Sequence, residues 1–325
     1  MKRVKFKKFA GVRIKGSSDS ELIKTKSIYH IDRAVWLTCM VESGGKFGCV
    51  ISYDGTGITA SLGQAIAVYP RNLGDEVKKN DQGPLWKVLK RIKNLPPMSD
   101  MTLFENKLAN VGWYISPDSK CRWIRNGKLV SGQAIRKEFT GSEDGVMPTK
   151  GKDRARAQFW AETFHDLFAN PDTFKLQLDL EKEHFVKRAE RAKLRFCREE
   201  EYAGSTVQKV IYNPFHISSI TSEQLGPEMD LAMSIYWSHS VNAPGYALKR
   251  FCRHVVDKGF ADEWMNEAEG RKLAKKIIQK FGETPFARWS DDIKNGRYQR
   301  TRAHAMKLWP KELFVGPDAI MPKDL

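Results

Sequence analysis

Residues 31–70 read IDRAVWLTCM VESGGKFGCV ISYDGTGITA SLGQAIAVYP, and the fold turns on how this stretch is read. Ile31, Ala34, Val35, Thr38 and Val41 recur at helical spacing, which predicts a buried amphipathic helix. Glu42 closes that helix, where the macrodipole disfavours a negative charge. Gly44 and Gly45 then stop it, because glycine enters the left-handed cap conformation without strain. A carboxyl at an apolar helix end, against a dipole of the wrong sign, is favoured in its protonated form. A general acid working near neutral pH requires that state.

Beyond the glycines, residues 47–53 alternate weakly, and Val50, Ile51 and Tyr53 favour strand. Asp54-Gly55 and Thr56-Gly57 are turn signals, and Ile58-Thr59 begins a return strand. A short hairpin of this kind brings Asp54 and Thr59 near one another. Folded over the helix end, it sets Asp54 opposite Glu42. Two carboxyl groups held roughly 6.5–9.5 Å apart suit inverting glycoside hydrolysis, one protonating the leaving oxygen and the other activating water. Thr59 then serves as a second acceptor for that water.

At these residues the chain resembles a known superfamily. Glu42 followed by Asp54-Gly-Thr-Gly-Ile-Thr59 resembles the glutamate, aspartate, threonine arrangement of phage-type lysozymes and chitosanases. Glu42-Ser43-Gly44, with Gly57 and Ser61-Leu62-Gly63-Gln64, is similar to the pattern of goose-type lysozymes and lytic transglycosylases. Both belong to the lysozyme-like fold. The resemblance implies an α+β, mainly α, two-lobed molecule with a small β-hairpin lobe and an enlarged helical lobe. It makes Glu42 the general acid, Asp54 the general base and Thr59 the hydroxyl that positions water. Ser43, Tyr53, Gln64, Trp123 and Asn242 are the expected substrate-binding residues. Asn242 falls in Val241-Asn-Ala-Pro-Gly245, which looks like a turn found late in muramidase catalytic domains, with Pro244 as an extra residue. The implied reaction is hydrolysis of the β-1,4 bond between N-acetylmuramic acid and N-acetylglucosamine, as in a bacteriophage endolysin. Asp54 departs from the transglycosylase pattern and argues against a non-hydrolytic mechanism.

Composition narrows the partners. The 325 residues carry 55 Lys and Arg against 39 Asp and Glu, a net charge of +16, which calls for an anionic partner. A chitosanase binds a polycation that this chain would repel, so the sign favours peptidoglycan glycan strands and the anionic bacterial envelope. No dedicated nucleic-acid partner is expected, and a monomer is. Five cysteines, an odd number without any CxxC, indicate reduced thiols. The seven histidines show no ligand spacing, so neither metal nor cofactor is expected. Residues 1–9 are basic but lack the apolar core of a secretory signal. That implies synthesis in the cytoplasm, followed by release through a separate pore protein or carriage in a virion.

Outward from the motif, residues 1–24 read as a basic arm and 25–325 as one catalytic domain. Its core lies in 25–80 and 226–312, with 81–225 an elaboration. Ser27 is the expected N-cap of the first helix. Pro84 opens a basic amphipathic helix that ends before Pro96-Pro97. Asn126-Gly127 between apolar-bearing runs predicts a hairpin. Around it, Trp113, Tyr114 and Trp123 stand among cations, as either a stacking platform or a hairpin core. Phe159, Trp160, Phe164, Leu167 and Phe168 give a helix its apolar face, and residues 173–202 read as one long charged helix. Pro227 opens another helix, and residues 263–281 and 297–308 read as basic helices. Two rivals stand beside the hydrolase: a lytic transglycosylase using Glu42 alone, and a non-catalytic basic phage or nucleic-acid-binding protein.

Overall fold

The structure is a computed structural model. It describes residues 13–14, 28–51, 56–68, 82–116, 123–143, 148, 150–192, 196–212, 221–240, 271–272, 274–275, 277–279 and 291–324. The architecture is α+β and mainly α. The chain divides into two compact units, Met1–Ser20 with Gly45–Leu180, and Glu21–Gly44 with Glu181–Leu325.

The first unit starts from a small antiparallel sheet of β1 (Arg13–Ile14), β2 (Val50–Ile51), β3 (Thr59–Ala60) and β4 (Ala65–Ile66), in that spatial order. Val50 pairs with Ala60, and Ala60 with Ala65. The expected return strand through Thr59 is therefore present. Helices α2 (Leu85–Lys93) and α3 (Ser99–Asn110) follow, then a second antiparallel sheet, β5 (Trp113–Ile115), β6 (Trp123–Arg125) and β7 (Lys128–Leu129). Asn126 and Gly127, at φ 48° and 71°, make the tight β6–β7 turn, the geometry that matches strand twist. Helices α4 (Gly132–Thr140) and α5 (Gly151–Ala169) complete the core.

Phe139 of α4 is the centre of that core. Its ring lies 5.0 Å from Trp160, 5.2 Å from Phe164, 5.3 Å from Trp123 and 5.7 Å from Trp113, every pair edge-on. Edge-to-face aromatic pairs add about 0.5–1.5 kcal/mol each beyond the area they bury. Buried Gln82 closes the sheet above them: it accepts from the Trp123 amide at 2.9 Å and donates to the Trp123 and Val130 carbonyls. Gly48 sits against α5 so closely that an added Cβ would stand 2.8 Å from Ala169 Cβ. Its carbonyl meets His165 Nδ1 at 2.8 Å.

Helix α6 (Phe174–Ala192) ends ten residues short of the expected 173–202 helix. Phe196–Tyr202 is instead a strand, β8, paired with β9 (Ser205–Tyr212). Glu199, Glu200 and Glu201 favour helix locally, but β9 supplies Thr206, Val207, Val210, Ile211 and Tyr212, which favour a pleated ladder. Ala203 and Gly204, both at positive φ, close the hairpin, and pairing along seven positions overrides local propensity.

The second unit packs α1 (His30–Glu42) against α7 (Ser222–Ser240) and α8 (Asp291–Ala305). Helix α1 starts after Tyr29 without a side-chain cap, so the expected Ser27 cap lies outside it. Gly226 breaks α7 at φ 71° and ψ 155°, so the helical run resumes at Pro227, the residue read from the sequence as an opener. Residues 271–272, 274–275 and 277–279 are helical.

This unit is fastened at its centre by Asp230, which is fully buried. Oδ1 accepts from His30 Nδ1 at 2.5 Å and Ser222 Oγ at 3.1 Å; Oδ2 accepts from Trp309 Nε1 at 2.8 Å and Arg33 Nη1 at 3.0 Å. One carboxylate thus joins α1, both parts of α7 and the chain beyond α8. Burial alone would push Asp230 up, but the bond and charge of His30, with Arg33, outweigh it and hold the carboxyl below its usual range.

Candidate functional site

Glu42 is the last residue of α1. Ser43 caps the helix, its amide and its hydroxyl both donating to the Cys39 carbonyl at 2.9 Å. Gly44 and Gly45 follow at φ 72° and 71°. This is the stop the sequence required, since the left-handed region costs glycine nothing.

The seat of Glu42 differs from the apolar pocket expected of it. Arg297 of α8 donates from Nη2 to Glu42 Oε1 at 2.5 Å, and also to the Ser238 carbonyl of α7 at 3.3 Å. The guanidinium is nearly buried at 8% side-chain exposure, while the Glu42 side chain keeps 16%. A planar, permanently charged guanidinium fixes a carboxylate in orientation as well as charge. Arg297 was missed because 255 positions separate it from Glu42 and no local pattern announces the pair.

Cys39 lies one turn before Glu42 and is fully buried. Burial, followed by the charges of Glu181 and Glu42, pushes its thiol well above the ordinary range. It is therefore a neutral packing group, not a nucleophile. Neither Cys39 nor Cys49 is in a disulfide.

Of the other expected site residues, Thr59 and Gln64 lie on the first unit's small sheet. Thr59 on β3 is nearly buried, and its Oγ1 meets Thr56 Oγ1 at 2.8 Å. Gln64 stands at φ 55° in the β3–β4 turn, where Nε2 donates to the Ser61 carbonyl at 2.8 Å and the Cys49 carbonyl at 3.1 Å. Its amide group thus braces its own turn. Ser43 is likewise committed, buried and bonded within α1.

Trp123 is wholly buried against Phe139. Of the two readings of the aromatic stretch, the hairpin core is what Trp113 and Trp123 form, whereas Tyr114 is exposed. Tyr53, Asp54 and Asn242 lie outside the described residues.

Among the described residues no group of three His, Cys, Asp or Glu side chains is placed to hold a metal ion, and no helix is long and apolar enough to cross a membrane. Comparison with protein-family models, with curated proteins and with solved structures gave no match. The functional reading rests on the residues themselves.

Proposed function

We propose that this chain is a peptidoglycan-degrading muramidase of the endolysin type. It hydrolyses the β-1,4 bond between N-acetylmuramic acid and N-acetylglucosamine. The observation that carries the reading is the position of Glu42: a partly exposed carboxyl at a glycine-stopped helix end, followed in the chain by the small sheet that carries Thr59. Three further features support it. Thr59 lies on a return strand of a small antiparallel sheet, in the chain order the lysozyme resemblance implies. The fold class is α+β and mainly α. The net charge of +16 suits an anionic wall polymer.

In this mechanism Glu42 first takes up a proton from water and then gives it to the glycosidic oxygen as the bond breaks. Negative charge grows on the Glu42 carboxyl while the proton leaves, and Arg297 is already in place to stabilise it. Stabilisation that strengthens as the transition state forms is what accelerates a reaction. Asp54 takes a proton from water, and Thr59 orients that water through its hydroxyl. The water attacks the face opposite the leaving group, so the anomeric configuration inverts.

Glu42→Gln tests the assignment, because the amide keeps the shape and cannot give up a proton. Clearing of outer-membrane-permeabilised cells should fall by about 10²–10⁴-fold, the usual share of a general acid, with an unchanged circular dichroism spectrum. Undiminished lysis by that variant would remove Glu42 from the role. Asp54→Asn should slow turnover strongly if water attacks directly, and only mildly if the product is a 1,6-anhydro sugar.

A further inference from the structure

Helix α8 carries a second charged feature, separate from the arginine that holds Glu42. Arg300 and His304 stand at i and i+4 on α8, and Lys307 follows in the turn that closes it, its amide donating to the His304 carbonyl at 3.0 Å, so the three form one flank at the C-terminal end of the helix. Arg300 and Lys307 are exposed, and His304 is partly buried between them. Arg302 faces elsewhere: it donates to the carbonyls of Met321 and Phe314 and straps the C-terminal segment to the helix.

The flank lacks a counter-charge among the described residues. Arg300 bonds only the Gly296 carbonyl of its own helix through Nε. No ion pair involves Lys307 or His304, and His304 Nδ1 is buried without a hydrogen-bond partner. Carboxylates on the elements packed against α8 are engaged elsewhere or form no pair with the imidazole. On α1, Asp32 pairs with Lys182 and Glu42 with Arg297, and Arg33 is held by Asp230. On α7, Glu228 pairs with Arg271, and Glu223 makes no pair with His304. Lys311, Glu312, Asp318, Lys323 and Asp324 of the C-terminal segment make none either. Burial first, then Lys307 and Arg300, hold His304 below its ordinary range. Three donors on one flank without a carboxylate partner among the described residues are an arrangement that an anion completes.

We propose that this flank of α8 is a proton-coupled site for the carboxylates of the glycan substrate. The identity of the ligand rests on the muramidase reading; the site itself does not. Wall glycans carry free carboxylates on their peptide stems, and on lactyl groups that bear no stem. Arg300 lies one helical turn from Arg297, so carboxylates flanking a bond presented to Glu42 fall within reach of the row. An anion seated between Arg300 and Lys307 cancels the repulsion that keeps His304 neutral. The imidazole then takes up a proton from water and donates to the anion through Nε2. Binding and protonation therefore reinforce one another, and affinity rises as pH falls.

The test uses the full chain carrying Glu42→Gln, so that ligand survives, in co-sedimentation with purified peptidoglycan sacculi at constant salt. Between about pH 8 and about pH 5.5 retention should strengthen about tenfold for each unit by which the ligand raises the histidine midpoint. Arg300→Gln with Lys307→Gln, both exposed positions, should weaken retention at every pH. His304→Gln should flatten the pH profile while leaving binding in place. On the otherwise unaltered chain, the His304 ring signals in an NMR titration should move to a higher midpoint when soluble muropeptide is added, and stay put with neutral N-acetylglucosamine oligomers. Three results would overturn the site: a double variant that binds as its parent does, a His304 midpoint indifferent to muropeptide, or losses seen only with single-stranded DNA. Proton-linked binding by a chain that releases no sugar ends would refute the muramidase and leave the site standing. Cleavage unaffected by the flank variants, with unaltered binding, would do the reverse.

Discussion

The two units solve the problem of a stable interior by different means. In the first, the interior is aromatic: Phe139 meets four other rings edge-on, and the polar groups nearby, such as Gln82, only complete backbone pairing. In the second, a buried carboxylate, Asp230, receives four donors from three segments, and a second carboxylate, Glu42, is held by Arg297. Aromatic packing depends on volume and is indifferent to pH. A buried charge depends on every one of its partners, because an unpaired ion in a low-dielectric interior is costly. The polar interior is thus the one that can hold titratable chemistry at a helix end, and it is correspondingly easier to break.

Asp230→Ala should cause the largest loss, about 3–5 kcal/mol at neutral pH, as expected when one member of a buried pair is removed. Chemical denaturation followed by tryptophan fluorescence measures it. Its pH dependence separates the two interiors. Because the folded Asp230 carboxyl sits below its ordinary value of 3.8, its contribution is complete above that value and is lost as pH falls through the folded value. The gap between wild type and Asp230→Ala should therefore close in acid.

Phe139→Ala should cost a similar or slightly smaller amount, about 3–5 kcal/mol, but without that pH dependence. A Phe139 penalty that shrank in acid would erase the contrast. Gln82→Ala, which strands the Trp123 amide and two carbonyls, should cost about 1–3 kcal/mol. The smallest effect is kinetic: Cys39, buried and kept protonated, should resist iodoacetamide in the native chain and react only on unfolding. Rapid labelling of Cys39, read by peptide mass spectrometry, would mean that the helical interior opens readily.

Much of this was legible where the signal is local. The Asn126-Gly127 turn, the opening at Pro227, the glycine stop after Glu42 and the strand through Thr59 each follow from a few adjacent residues. Helix α3 passed unread because Ser99–Asn110 buries only Met101, Phe104 and Leu108 and mixes polar residues between them. Strand β8 was misread because three consecutive glutamates favour helix until β9 pairs with them. In the candidate site the acid was legible and its setting was not. A helix-end glutamate is visible in sequence, whereas the Glu42–Arg297 and His30–Asp230 pairs join positions 255 and 200 residues apart. Trp123 shows the converse limit: an aromatic beside cations reads as either a surface platform or a hairpin core, and only packing around Phe139 decides for the core.

The sugar ends that this chain leaves behind test the role of Glu42 most directly. Purified sacculi digested with the wild-type chain, then analysed by mass spectrometry of the released muropeptides, should yield hydrated reducing muramic acid ends, and Glu42→Gln should yield none. Products lighter by one water would point to a transglycosylase. Intact sacculi after exposure to a folded wild-type chain would contradict the assignment of Glu42 as an acid catalyst altogether.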